Sequence, residues 1–220
     1  MSPSQENYLK AIYELNHDQR KITNKNIADI LQVSAPSVTE MLTSLSKEKL
    51  VSHTPYNEIS LTDKGREIAT NLVRRHRIWE VFLHDKLDYN IGEVHEAADV
   101  LEHATDGMLI QRLNEYLDAP ERCPHGGIIP GNAEETDSDD QVLVDIADGT
   151  TVQIKRVIDN HEFLAYYQNL GLPLGTEMTV LRHEPFEGPI VVRTNAGATI
   201  PVSFKSASYI FVNQISAPES

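Results

Sequence analysis

The run Cys123-Pro124-His125-Gly126-Gly127-Ile128-Ile129-Pro130 divides the chain, because two prolines and a glycine pair exclude a helix through it. Apolar residues recur every three to four positions before it and alternate in short runs after it. A mainly α chain with a small β domain follows. The expected boundaries are 1–72 for a winged helix-turn-helix, 73–141 for a helical region with its linker, and 142–220 for a β domain.

Residues 5–16 place Leu9, Ile12 and Tyr13 on one helical face. Thr23 can cap a short helix carrying Ile27, Ile30 and Leu31. The turn Gln32-Val33-Ser34 leads to a helix with Val38, Met41, Leu42 and Leu45 at i, i+3, i+4, i+7. Ser34 is its candidate N-cap, and Pro36 is tolerated because first-turn amides have no intrahelical partner. Two β-like runs, Leu50–Thr54 and Glu58–Leu61, flank Pro55-Tyr56-Asn57, the composition of a hairpin turn. Helix, turn, helix and hairpin is the order of a winged helix-turn-helix.

Thr62 and Asp63 open a long helix to about Leu87. Asn90 and Glu93 form a capping-box pattern for a helix over 91–104. Asp106 caps a third, carrying Leu109, Leu113 and Leu117. Residues 131–141 are polar and acidic, the composition of a mobile linker. Strands are expected at Val152–Val157, Glu177–Arg182, Ile190–Arg193, Ile200–Phe204 and Tyr209–Val212, with Gly149, Gly171, Gly175, Gly188 and Gly197 near the turns. These fit a small β-barrel.

The net charge of −14 at first sight opposes DNA binding. It is unevenly spread: residues 1–75 carry ten Lys/Arg against nine Asp/Glu, leaving nine against 24 for the rest. A near-neutral end joined to an acidic remainder suits a protein that touches DNA at one end only. The predicted recognition helix offers Ser37, Thr39, Glu40, Thr43, Ser44 and Lys47 to solvent, preceded by Ser34 and Pro36. Short hydroxyls at a helix start approach phosphates and base edges closely. Pro36 or Ala35 can meet a thymine methyl, and Glu40 either accepts from cytosine or pairs along the helix. Lys25, Lys47, Lys49 and Lys64 are candidate phosphate contacts. A winged helix can also bind protein, and the pattern alone leaves that open.

No apolar run approaches the about 18 residues that span a bilayer. The first residues lack a signal peptide's basic and apolar regions, and the single cysteine, Cys123, cannot form an internal disulfide. A cytoplasmic location is expected.

In Val94-His95-Glu96-Ala97-Ala98-Asp99-Val100-Leu101-Glu102-His103, the residues His95, Asp99, Glu102 and His103 fall at i, i+4, i+7, i+8. A helix puts them on one stripe. The preceding helix contributes His76 and Glu80, again i and i+4. Cys123 and His125 add a thiol and an imidazole in a rigid loop. Three such groups in a chain of nine histidines point to a divalent metal, without which the buried carboxylates would repel and lose solvation. Oxygen and nitrogen donors suit Mn2+ first and Fe2+ second, and Zn2+ also binds such a set.

The segments YLKAIYEL (8–15), QVSAPSVTEML (32–42), LTDKGREIA (61–69), RRHRIWEVFL (74–83), VHEAADVLEH (94–103) and CPHGGIIP (123–130) resemble the diphtheria toxin repressor family of iron- and manganese-dependent regulators. The likeness is greatest to the three-domain manganese-responsive repressors of Gram-positive cocci and covers nearly the whole chain. It implies a homodimer through the middle helices, an SH3-like C-terminal barrel, and repression of metal-uptake genes by binding palindromic double-stranded operators. It also implies two metal sites. One uses Asp99, Glu102 and His103 with a first-helix ligand, which falls on Asn7 where relatives have aspartate or methionine. The other uses His76, Glu80, Cys123 and His125, with Asp159 from the barrel. His95 matches a ligand of the iron-responsive branch. No membrane and no organic substrate is implied. Two rival readings stand beside this one: a metal-dependent hydrolase, for which no separate nucleophile or phosphate loop is evident, and a winged-helix regulator answering a small ligand or protein with structural metal.

Overall fold

The computed structural model describes residues 1–52, 59–134 and 141–216. The expected turn Pro55-Tyr56-Asn57 and the stretch 135–140 of the acidic run lie outside them. The chain forms two compact units, Met1–His76 with Val100–Gln111, and Arg77–Asp99 with Arg112–Ser220.

The first unit opens with α1 (Pro3–His17), whose N-cap Ser2 exchanges hydrogen bonds with Gln5 in a capping box. Next come α2 (Asn24–Leu31), capped by Thr23, and α3 (Ala35–Lys47), capped by Ser34 with Pro36 in its first turn. The turn between them works because Gln32 takes a left-handed conformation, φ 54°. Leu9, Ile12, Leu15, Ile27, Leu42 and Leu45 are fully buried in one core. Each such side chain contributes about 1.5–3 kcal/mol through burial.

Strands β1 (Val51–Ser52) and β2 (Ser60–Leu61) pair antiparallel, Val51 opposite Leu61. They are the described part of the wing. At its base α4 (Asp63–Leu87) starts where Gly65 presses on Leu50: a Cβ there would lie 2.0 Å from the Leu50 carbonyl oxygen. Only glycine permits that approach.

Helix α5 (Val94–Ala104) begins three residues later than the capping pattern suggested. Asn90 does cap the segment, its Oδ1 accepting from the amides of Gly92 and Glu93 at 3.0 and 3.1 Å. Residues 91–93 form a turn rather than α-helix, because the carboxamide closes an Asx turn ahead of the helix. Helix α6 (Gly107–Tyr116) is capped by Asp106, which accepts from the Leu109 amide at 2.8 Å. Leu113 is buried on this helix, whereas Leu109 is 48 % exposed.

The second unit contains a six-stranded antiparallel sheet in the order β3-β8-β4-β5-β6-β7. Its strands are β3 (Gln141–Val142), β4 (Thr151–Val157), β5 (Glu177–His183), β6 (Ile190–Thr194), β7 (Thr199–Val202) and β8 (Ile210–Ser216). Irregularities between Ile154 and Arg156 and between Val180 and Arg182 bend it around a core of Leu143, Ile154, Leu164, Val180, Val192 and Ile210.

Two features differ from the strand-only expectation. Helix α7 (His161–Leu170) was not anticipated: Asn160 caps it, and Phe163, Leu164 and Tyr167 bury one helical face. The run Ile200–Phe204 stops as a strand at Val202, because Ser203 caps the short helix α8 (Phe204–Ala207). At the edge of the acidic run, Asn132 is anchored by bonds from its amide nitrogen to Asn114 Oδ1 (2.6 Å) and the Pro120 carbonyl (2.8 Å). Among the described residues no helix is long and apolar enough to cross a membrane.

Candidate metal centre

Within the second unit, four segments converge. Glu80 comes from the C-terminal half of α4, His95 from the start of α5, Cys123 and His125 from the Pro/Gly loop, and Asp159 from the end of β4. The loop is fastened to the sheet: the Val157 amide donates to the His125 carbonyl at 2.9 Å. Gly126 makes that contact possible, since it has φ +85° and a Cβ there would lie 2.2 Å from the Lys155 carbonyl oxygen. From the other side, the Arg77 guanidinium donates to the Ile128 carbonyl.

Glu80 and His125 are 0 % and 1 % exposed, and Cys123 is 6 %. Their ligand-type atoms lie within 4.8 Å of one another. His125 Nδ1 is 3.0 Å from Glu80 Oε1 and 3.8 Å from Asp159 Oδ1. His125 Nε2 lies 2.9 Å from the Ile91 carbonyl oxygen, an acceptor, so Nε2 carries the proton and Nδ1 is the nitrogen turned to the cluster. His95 Nδ1 lies 2.6 Å from Asp159 Oδ1, and its Nε2 lies 3.5 Å from Asp99 Oδ2. The Asp99 side chain is 43 % exposed.

Burial alone would discharge the His125 imidazolium. The charges of Glu80 and Asp159, with hydrogen bonds to Cys123 and Glu80, outweigh it and hold the ring's pKa well above 6.5. Burial, reinforced by Glu80, pushes the Cys123 thiol up from 9.0. Metal-free, the cluster therefore balances its carboxylates with a proton on His125 and keeps Cys123 as the thiol. The donor set fits a divalent ion: two carboxylates, two imidazoles and one sulfur, mostly removed from water, with an outer carbonyl orienting one ring.

Glu102 and His103 lie in the first unit. Glu102 is fully buried, with Oε2 2.6 Å from His76 Nδ1 and 2.9 Å from Lys10 Nζ. His103 Nδ1 is 2.6 Å from Glu6 Oε2, and its Nε2 is 2.7 Å from Asn7 Oδ1. Helix α1 therefore meets α5 through Asn7, as the resemblance placed it, but also through Glu6 and Lys10, which the sequence reading passed over. Helical spacing held the signal: Glu6 and Asn7 stand four and three positions before Lys10, on one face of α1.

Helix α3 presents Ser34, Pro36, Ser37, Thr39, Glu40, Thr43 and Lys47 to solvent, with Lys25 exposed on α2. The Thr39 and Thr43 hydroxyls donate back to the carbonyls of Ala35 and Thr39 at 3.2 and 2.8 Å. The Thr39 hydroxyl also accepts from Asn24 Nδ2 at 3.0 Å. Ser44 is only partly exposed.

Residues 1–59 match the iron dependent repressor N-terminal DNA binding domain, 62–131 the iron dependent repressor metal binding and dimerisation domain, and 142–214 the FeoA domain. A diphtheria toxin repressor of Corynebacterium glutamicum is 30% identical over 206 residues, 88% of this chain and 89% of the relative. Among solved structures, the manganese regulator SloR is 37% identical with a TM-score of 0.83, covering 97% of this chain and 100% of that one. A manganese-dependent transcriptional repressor in complex with manganese is 34% identical with a TM-score of 0.86, covering 96% and 100%. By sequence and by fold, the chain belongs to the diphtheria toxin repressor family of metal-dependent transcriptional repressors.

Proposed function

We propose that this repressor answers manganese, with iron as the second choice and zinc a competitor, and that the loaded homodimer binds palindromic operators of metal-uptake genes in the cytoplasm. The observation that carries the reading is the buried meeting of Glu80, Cys123 and His125, with Asp159 and His95 adjoining. Nitrogen and carboxylate donors outnumber the single thiol, which favours Mn2+ or Fe2+ over a thiolate-rich preference for Zn2+.

A dication bound here supplies the positive charge that the protonated His125 provides without it. Glu80 lies on α4, a continuous helix of 25 residues that starts at the wing. Anchoring α4 to the loop and the sheet end restricts the posture of the helices that precede it. In a dimer, the separation of the two α3 helices must match half-sites on one face of the duplex. Val100 and Met108, 72 % and 66 % exposed on α5 and α6, supply apolar surface for the second copy. Ser34, Pro36, Ser37, Thr39, Glu40 and Thr43 then face the major groove, while Lys25 and Lys47 meet phosphates.

The test is a titration of promoter DNA at fixed salt, with Mn2+ and with chelator. Binding that strengthens at least about fivefold with Mn2+ supports the reading. Specific binding indifferent to chelator rejects it, and turnover of phosphoesters would favour a hydrolase.

A further inference from the structure

Helix α5 sends His103 against the first turn of α1, where two neighbouring residues meet its two ring nitrogens. Glu6 Oε2 lies 2.6 Å from His103 Nδ1, and Asn7 Oδ1 lies 2.7 Å from Nε2. Glu102 Oε1 is 3.5 Å from the same Nε2, while Oε2 of that carboxylate faces Lys10 and His76. The side chains of Glu6 and His103 are 21 % and 15 % exposed, so water competes only weakly for the bond between them. The two sides of the ring differ in kind. Nδ1 meets a carboxylate oxygen, an acceptor for a ring N–H. Nε2 meets an amide oxygen and a second carboxylate oxygen, which can close on one hard divalent ion together with the nitrogen. An imidazole that ligates through one nitrogen is aimed by an acceptor holding its other N–H.

We propose that Glu6 is the positioning residue of His103: by accepting from Nδ1–H it aims Nε2 at a cation shared with Asn7 and Glu102. Glu6 itself does not touch the ion. Because Glu6 rides on α1, the ring is aimed only while α1 is docked on α5. His125 is held the other way round, with Nε2 on the Ile91 carbonyl and Nδ1 toward its cluster. The two imidazoles therefore offer opposite nitrogens, which separates them by spectroscopy. The role of Glu6 does not rest on the Glu80 cluster.

The probe is cadmium, titrated into chelator-stripped full-length protein with isotope-labelled histidine rings and followed by NMR. In wild type, cadmium should couple to His103 Nε2, with the proton kept on Nδ1. Glu6→Ala should lower cadmium affinity at His103 by about 10- to 100-fold and divide the coupling between both nitrogens. Glu6→Gln keeps an oxygen that accepts from Nδ1–H, so it should retain the Nε2 coupling and lose at most about fivefold. An acid that served only the positive end of α1, where Glu6 stands, would leave the coupling untouched in both variants. Coupling at Nδ1 in wild type overturns the proposal, as does cadmium that never reaches His103, or a Glu6→Ala protein with wild-type coupling and affinity. A Glu6→Gln loss as deep as that of Glu6→Ala also overturns it, since the carboxylate would then be a ligand. Should Glu6→Ala not fold, the wild-type coupling and the Glu6→Gln affinity still judge the role. Failure of the Glu80 cluster would show separately, as cadmium absent from His125, and would leave the His103 result intact.

Discussion

His125 turns Nδ1 toward Glu80 Oε1 at 3.0 Å while its other nitrogen is held by the Ile91 carbonyl. The ring cannot swing away from the carboxylate without leaving a buried N–H unpaired, so the pair is pre-set for a shared cation. Substituting Glu80→Gln keeps the shape and removes one charge. Manganese affinity should fall by about 100-fold, on the order of 3 kcal/mol, as read by competition with a calibrated chelator. An unchanged affinity would mean that the carboxylate is not a ligand.

The same pair makes opposite pH demands on the metal-free and loaded states. The folded pKa of His125 stands above its unfolded value. Its stabilisation of the metal-free protein is therefore fully present below about pH 6.5 and is lost as pH rises through the raised value. Metal competes with that proton and with the proton of Cys123, so manganese affinity should rise with pH. Denaturant midpoints of metal-free wild type and His125→Gln, measured from pH 6 to pH 9, should converge as pH increases. A widening gap would contradict the assignment of charge.

The loop depends on one backbone position. Gly126→Ala places a methyl against the Lys155 carbonyl at a φ that alanine avoids. Chemical denaturation should show a loss of more than about 2 kcal/mol, with weakened metal binding because Cys123 and His125 ride on the same loop. Wild-type stability would mean that the loop and β4 are not in register as described.

On the DNA side, Lys47→Ala should lower the slope of log K against log salt by about 0.9 and weaken all sequences alike. Glu40→Ala should instead alter preference at one base pair by about 1–3 kcal/mol, seen in a library of operator variants. If Glu40→Ala shifts every operator equally, Glu40 does not read a base.

Much of the fold was legible because local chemistry and the final structure agree. Thr23, Ser34 and Asp106 cap the helices that their positions suggested, and α4 runs from Asp63 to Leu87 as expected. Helix α7 escaped because ten residues inside a strand-rich region carry little periodicity; only Asn160, a cap, marks its start. At the cluster, the nearness of Cys123 to His125 and the acid Glu80 on the long helix were visible in the sequence. Asp159 entered only through the resemblance, since no local pattern reports that the end of β4 reaches that loop. Lys10 was invisible for a related reason: a lysine reads as solvated until the fold shows its carboxylate partner 92 positions away.

The central claim is that metal at the Glu80 cluster and DNA at α3 favour the same state. The most direct measurement is the manganese affinity of the protein free and saturated with operator duplex. Linkage requires DNA to tighten manganese by the factor with which manganese tightens DNA, typically about 5–150-fold. Matching factors in that range are the predicted result. Identical manganese affinity with and without DNA would contradict the account.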